Sequence, residues 1–88
     1  MGIVLNEDMF KKTLGRFLRL KRIEKGITLE ELGHIAQVDD KHLGKIERGN
    51  KIPRSDTLFQ LLIALNATNV RIYDILAEYK SIKNEDDR

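Results

Sequence analysis

The sequence predicts an all-α fold of five helices in one small domain. Apolar residues recur three and four positions apart along most of the chain, and no segment alternates apolar and polar residues as a half-buried strand does. Capping residues and glycines separate the periodic runs. The 88 residues suffice for a single hydrophobic core. We therefore expect one domain over residues 1–83 and a frayed polar tail over residues 84–88.

The first predicted helix covers Glu7–Lys25. Asn6 is a suitable N-cap, and Gly26 is a residue type that commonly ends a helix. One face of this helix carries four apolar side chains, Phe10, Leu14, Phe17 and Leu18. We expect that face to pack against the rest of the domain.

Two short helices follow, Leu29–Gln37 and Asp40–Arg48, joined by a tight turn. Thr28 and Glu31 form the pattern of a capping box, in which the side chain of each residue satisfies a free backbone N–H of the other. An aspartate directly before the third helix can cap it as well. The pattern over residues 28–48 therefore predicts a helix-turn-helix.

The last two helices are predicted at Asp56–Leu65 and at about Val70–Ile82. Pro53 biases the residue before it away from helix, so we expect a loop over residues 49–54. The fourth helix carries its inward leucines at helical spacing, at Leu58, Leu61, Leu62 and Leu65.

Basic residues are concentrated in two segments, although the net charge is only +2. Seven bases and one acid lie between Lys11 and Lys25, and five bases and one acid lie between Lys41 and Arg54. A basic face of this kind is typical of proteins that bind polyanions. Charged helix surfaces also keep small domains in solution, so charge alone leaves both interpretations open.

Several classes of protein are not expected. The chain has no cysteine, which suits a reducing cytoplasm, and no apolar run approaches the roughly 20 residues of a membrane span. His34 and His42 lack the partner ligands of a metal site, and no catalytic motif is present. We expect a cytoplasmic protein that is not an enzyme and has no membrane anchor, metal, cofactor or small-molecule ligand.

The segment around the helix-turn-helix resembles the phage-repressor-like domains of the Cro/CI or Xre type. The matching positions are Arg22, Gly26, Thr28, Leu32, Val38, Leu43, Ile46, Glu47, Gly49 and Pro53. The resemblance implies a compact five-helix, lambda-repressor-like DNA-binding domain. It also implies that residues 39–48 form a recognition helix for the major groove of double-stranded DNA.

The candidate DNA contacts follow from which residues the core leaves outside. With Leu43 and Ile46 inward, the third helix turns five residues outward: Asp40, Lys41, Gly44, Lys45 and Arg48. Lys41 and Lys45 are one turn apart and can reach guanine O6/N7 or phosphate. Each lysine has the alternative of being an ordinary solvated side chain.

Two of these outward positions carry more than one interpretation. Gly44 would let the helix approach the groove floor, or it is only a defect in helix propensity. Asp40 can accept a hydrogen bond from cytosine N4. Alternatively, it is a neighbour of the N-terminal cap of the third helix or disfavours some DNA sequences.

Backbone contacts are expected at both sides of the recognition helix. The loop after it supplies Asn50, Lys51 and Arg54, at positions where related domains hold the DNA backbone. Thr28 can offer its hydroxyl and its backbone N–H to a phosphate at the start of the second helix. Such contacts give affinity and register rather than sequence choice.

In related domains an arginine late in the first helix pairs with the glutamate that ends the third. The matching residues here are Arg22 and Glu47. A bidentate bridge between them would fix the orientation of the recognition helix, which is a structural role. The alternative is two unpaired surface charges.

The chain departs from the family pattern at several groove-facing positions. Leu29 replaces the usual glutamine, Gly44 replaces a serine that often contacts DNA, and two acids begin the recognition helix. These changes favour a rival function on the same fold, that of a protein-interaction module such as an antirepressor or an antitoxin-like partner. The two basic segments favour DNA.

The last helix carries more apolar residues than a five-helix core needs. We expect Ile72, Tyr79 and Ile82 to contribute to a homodimer interface. The alternative is that Tyr79 and Ile82 fold back onto the first helix near Phe10. A two-fold dimer would place its recognition helices about 34 Å apart on a DNA site with dyad symmetry.

Overall fold

The computed structural model describes residues 6–67 and 72–86, with the side chains of residues 72, 73 and 86 outside that description. These residues form five helices and no strand, which confirms the predicted all-α fold. The helices are α1 (Glu7–Lys25), α2 (Leu29–Ala36), α3 (Asp40–Glu47), α4 (Ser55–Ala64) and α5 (Ile72–Asp86). No helix of this part of the chain is both long enough and apolar enough for a bilayer.

The ends of α1 follow from its capping residues. The side chain of Asn6 accepts a hydrogen bond of 3.1 Å from the backbone N–H of Met9. At the other end, Gly26 adopts the left-handed conformation with φ +75° and returns its N–H to the carbonyl of Arg22. An L-residue would be strained at this φ, so glycine is suited to stop the helix here.

The helix-turn-helix turns at Gln37, which also has a left-handed backbone with φ 57°. The next N–H, that of Val38, donates to the carbonyl of Gly33 at 2.8 Å. This geometry ends α2 one residue earlier than predicted, because Gln37 is the C-cap rather than a helical residue. Arg48 is likewise the C-cap of α3.

The core lies between α1, the helix-turn-helix and α4. Five side chains in it are fully enclosed, those of Leu18, Leu32, Leu43, Ile46 and Leu61. Two of them belong to α3, so burial of one side of that helix determines which side faces outward.

α1 crosses the end of α3 at backbone distance, and a glycine makes that possible. A Cβ atom at Gly15 would lie 2.8 Å from the carbonyl oxygen of Glu47 and closer still to that of Ile46. A second glycine, Gly49, has φ +77° and brings its Cβ position within 3.1 Å of Cα of Lys12. The two helices are therefore joined without an intervening layer of side chains.

α5 packs antiparallel along α1. Asp74 in its first turn lines a depression with Lys25 at the end of α1, while Glu85 pairs with Arg16 farther back along α1. The helix continues to Asp86, so residues 84–86 are helical where a frayed tail was expected. Glu85, within that extension, pairs with Arg16 of α1.

Ile82 does not belong to a surface between two copies of the chain. Its side chain is only 3% exposed within one protomer, because α5 lies against α1. The prediction of an interface position is therefore wrong for Ile82, and the fold-back alternative applies to this residue. Tyr79 is half-buried, and the side chain of Ile72 lies outside the described residues.

Candidate nucleic-acid interface

The orientation of α3 is set at its start and along its buried side. Asp39 accepts a hydrogen bond of 3.1 Å from the backbone N–H of His42, which caps the helix. Leu43 and Ile46 are completely enclosed in the core. The opposite side of the helix, between Asp40 and Arg48, faces outward.

A shallow depression follows that outward side, and we call it the α3 face. Its lining residues are Leu29, Asp40, Lys41, Gly44, Lys45 and Arg48. Five of the nine predicted DNA contacts thus come together on one surface. Lys41, Lys45 and Arg48 form no ion pair within residues 6–67 and 72–86, so their charges remain available to a ligand.

Gly44 is buried rather than facing the solvent, contrary to expectation. A Cβ atom there would lie 3.0 Å from Nη1 of Arg48 and 3.5 Å from Cδ2 of Leu29. The missing side chain therefore makes room for the guanidinium of Arg48 and the apolar end of Leu29. It provides no direct opening from α3 to a groove floor.

Leu29 forms the boundary between α2 and the α3 face. It is half-buried, packs against the core and covers Gly44. A leucine cannot donate a hydrogen bond to a phosphate or a base edge, so recognition through α2 is reduced to apolar contact at this position.

Thr28 closes a complete capping box. Its hydroxyl oxygen accepts from the backbone N–H of Glu31 at 3.1 Å, and its own N–H donates to the carboxylate of Glu31 at 3.1 Å. The backbone N–H expected to reach a phosphate is therefore already bonded. The hydroxyl proton remains the group that Thr28 can offer.

The loop after α3 exposes the three predicted backbone contacts, Asn50, Lys51 and Arg54. The N–H of Asn50 bonds to the carbonyl of Lys45 at 2.9 Å, so the loop begins in a fixed position relative to α3. Arg54 lies 3.5 Å from Asp56 through an exposed contact that contributes little. The other four predicted contacts do not line the α3 face: Thr28, Asn50, Lys51 and Arg54.

Arg22 and Glu47 form a bidentate ion pair between α1 and α3. Nε and Nη2 of Arg22 donate to the two carboxylate oxygens of Glu47 at 2.8 and 3.0 Å. Nη1 donates to the carbonyl of Ile27 at 3.0 Å, so the guanidinium also holds the entry to α2. The hydrogen bond to Glu47, opposed by desolvation, raises the pKa of Arg22 above its ordinary value.

Arg19 is a candidate contact that the sequence did not single out. It lines a depression together with Leu29, Gly44 and Arg48, directly beside the α3 face. The available signal was the basic segment between Lys11 and Lys25. Seven bases on one helix do not reveal which of them turn toward α3 until the crossing at Gly15 is known.

Comparison with known proteins places these features in a family. A helix-turn-helix family model matches residues 18–71, which include α2, α3, α4 and the C-terminal part of α1. The chain belongs to the helix-turn-helix family. The resemblance to phage-repressor-like domains inferred from the sequence is thereby confirmed.

Related proteins and structures share the helix-turn-helix unit. A protein of Sinorhizobium fredii named uncharacterized HTH-type transcriptional regulator y4dJ is 37% identical over 65 residues, which cover 74% of this chain and 83% of that protein. Two crystal structures of the clp gene regulator ClgR from Corynebacterium glutamicum are 33% identical, with TM-scores of 0.67. Each match covers 82% of this chain, and they cover 73% and 88% of the respective ClgR chains.

Proposed function

We propose that this helix-turn-helix protein is a transcriptional regulator that binds double-stranded DNA with sequence preference. The observation that carries the proposal is the α3 face. Its three cations, Lys41, Lys45 and Arg48, follow one outward side of the second helix of the motif, where such proteins contact the major groove.

The α3 face divides into groups of different chemistry. Lys41 and Lys45 can donate to guanine O6 and N7 or to phosphate. Asp40, half-buried at the start of α3, can accept from cytosine N4 and repels phosphate at the same place. Base preference thus depends on a small number of side chains, with Arg48 held at the surface by its position over Gly44.

Phosphate contacts surround this surface. Asn50, Lys51 and Arg54 on the loop and the Thr28 hydroxyl can bind the DNA backbone on either side of α3. They supply affinity and register, and their strength falls as salt rises.

The names of the related proteins are consistent with this function. One relative is named as a transcriptional regulator, and the structural neighbour is named as a gene regulator. Regulation of transcription implies action where the chromosome is, so we infer a cytoplasmic location. A chain without cysteine suits that compartment.

We infer that the regulator acts as a homodimer on a dyad site. α3 has 8 residues and is therefore about 12 Å long. One copy reads few base pairs, and a second copy about 34 Å away doubles the contacts. Tyr79 is our candidate interface residue, because it is only half-buried on α5, the helix that packs against α1.

Light scattering tests the dimer. Tyr79→Asp should give monomers, because a charge at the centre of an interface is desolvated without a partner. Ile63→Asp is the matched comparison, since Ile63 and Phe59 form an apolar pair on α4 that is 70% and 64% exposed. If Tyr79→Asp remains dimeric and Ile63→Asp becomes monomeric, the interface lies on α4 instead. If both variants remain dimeric, neither surface is the dimer interface.

The DNA proposal is tested by binding to sonicated calf-thymus DNA at rising salt, followed by selection of bound sequences from a random pool. A DNA-binding regulator should lose about 10³- to 10⁵-fold in affinity between about 50 and about 200 mM salt if it makes six to ten phosphate contacts. It should also enrich a dyad sequence. Absence of binding at low salt would reject the proposal in favour of a protein-interaction module.

A further inference from the structure

A basic groove runs between α1 and the end of α3, outside the helix-turn-helix itself. We infer that this α1–α3 groove is a second phosphate-binding site, which takes the backbone of the same duplex that α3 reads. The inference rests on the proposed function. It adds α1 to a recognition surface otherwise made of α2, α3 and the following loop.

The groove is lined mainly by groups that bind phosphate. Lys12, Arg16, Arg19 and Arg48 contribute four cations, and Asn50 contributes an amide, around a volume of about 520 Å³. The acid that lines it, Glu47, is already held by two hydrogen bonds from Arg22. The local charge is therefore strongly positive, which favours a polyanion.

The groove is continuous with the α3 face. Arg48 lines the α3 face, the depression beside it and the α1–α3 groove, while Arg19 lines the last two. A ligand that lies on α3 therefore reaches the cations of α1 across the depression beside it, whose acid, Glu47, is paired with Arg22. This continuity favours one long polyanion over a small separate anion.

The spacing along α1 suits a DNA strand. At 1.5 Å per residue, Lys12 and Arg19 are about 10 Å apart along the helix axis. Lys12, Arg16 and Arg19 are four and three residues apart, so they lie on one side of α1 and can reach separate phosphates of one strand. The backbone contacts at Gly15 and Gly49 hold the row at a fixed position relative to α3.

Membership of the family does not by itself imply this site. The family match begins at residue 18, so Lys12 and Arg16 precede the matched segment. Their place beside Arg48 follows from the helix crossing in this chain.

Glu85 of α5 pairs with Arg16, one of the four cations of the groove. Its carboxylate accepts two hydrogen bonds from Arg16 at 3.2 and 3.3 Å, and both side chains are partly exposed. A phosphate at this site would replace that carboxylate on Arg16. Removal of the Glu85 charge should therefore strengthen DNA binding, whereas removal of the groove cations should weaken it.

Binding to sonicated calf-thymus DNA, measured by competition with a labelled duplex at several salt concentrations, tests both expectations. Lys12→Gln with Arg19→Gln should weaken binding and reduce the slope of log affinity against log salt by about two, because each of these side chains neutralises one phosphate. Glu85→Gln should strengthen binding by up to about fivefold, the effect of one exposed charge pair. The control Lys25→Gln with Lys80→Gln removes two charges outside the groove and should leave the slope nearly unchanged.

The outcomes separate the inference from the proposed function. If the wild type binds and Lys41→Ala with Lys45→Ala weakens it, while Lys12→Gln with Arg19→Gln does not, the groove is refuted and the α3 face stands. An equal decrease of slope in the control pair would also refute the groove, because the decrease would then follow from the lower net charge of the protein and not from the position of the lost charges. If the wild type does not bind DNA, both the groove and the proposed function are refuted. Melting temperatures show whether each variant is folded, and the single variants Lys12→Gln and Arg19→Gln replace the double one if it melts early.

Discussion

Arg22 of α1 holds Glu47 of α3 through two parallel hydrogen bonds of 2.8 and 3.0 Å. The two side chains are only 15% and 5% exposed, so the pair is shielded from solvent. Glu47 directly precedes Arg48, the cation shared by the α3 face and the α1–α3 groove. The ion pair thus stabilises the part of α3 on which both surfaces depend.

Loss of one partner of this pair should destabilise the protein. Arg22→Met leaves the Glu47 carboxylate buried without a cation, which should lower the free energy of unfolding by about 3–5 kcal/mol. Because the pKa of Arg22 is raised in the folded protein, the stabilising contribution of its charge is complete at neutral pH and is lost only as strongly alkaline pH passes through that raised pKa. Urea denaturation at neutral pH measures the change.

The double variant Arg22→Met with Glu47→Leu is the control. It removes both charges, so most of the stability should return. A single-variant decrease below about 1 kcal/mol would mean that the pair behaves as an exposed surface contact instead.

Lys41→Ala combined with Lys45→Ala should reduce DNA affinity and leave the melting temperature unchanged. Both side chains are exposed on α3, so their removal takes away ligand contacts and no core packing. The salt slope should fall by about two if both bind phosphate. Fluorescence anisotropy with a selected duplex measures affinity, and unchanged affinity would show that another helix carries recognition.

The same glycine-to-alanine change should have opposite effects at two helical positions. Gly15→Ala forces a methyl group against the backbone of α3 and should cost about 1–3 kcal/mol of stability. Gly44→Ala meets the movable end of Arg48 and gains helix propensity, so it should be neutral or stabilising by up to about 1 kcal/mol. Thermal denaturation compares the two, and effects of equal sign would contradict the backbone crossing.

Gln37→Gly should stabilise the helix-turn-helix. Gln37 has φ 57°, and a left-handed L-residue costs about 1–2 kcal/mol. Glycine removes that cost but gains about 0.4–1 kcal/mol of unfolded-state freedom, so the net stabilisation lies between about 0 and about 1.6 kcal/mol. The melting temperature should rise by several degrees, whereas Gln37→Ala keeps the strained φ and should bring no rise.

Local signals in the sequence were sufficient for both ends of α1 and for the start of α2. Asn6 and Gly26 define α1 at both predicted residues, and the capping box at Thr28 defines the start of α2. Each of these signals acts through hydrogen bonds within a few residues, so a single sequence contains them.

Features that depend on packing between helices could not be predicted from the sequence in the same way. Gly15 and Gly44 are both helical glycines in the sequence, yet one touches the backbone of α3 and the other is covered by Leu29 and Arg48. Ile82 has the spacing of an interface residue and is buried against α1 instead. These distinctions require the helix crossings, which periodicity along one helix does not specify.

Because α1 and α3 touch through their backbones at Gly15, no compressible layer separates the cations of α1 from those of α3. The distance between these two sets of cations is therefore fixed by the fold, and it determines the groove width that a bound duplex must have. The DNA, and not the protein, must change shape to match it. Sequences that already have that groove width, or that bend easily to reach it, require less deformation energy. Base pairs that no side chain touches would then contribute to the choice of operator, and substitutions at Gly15 would alter preference at those positions.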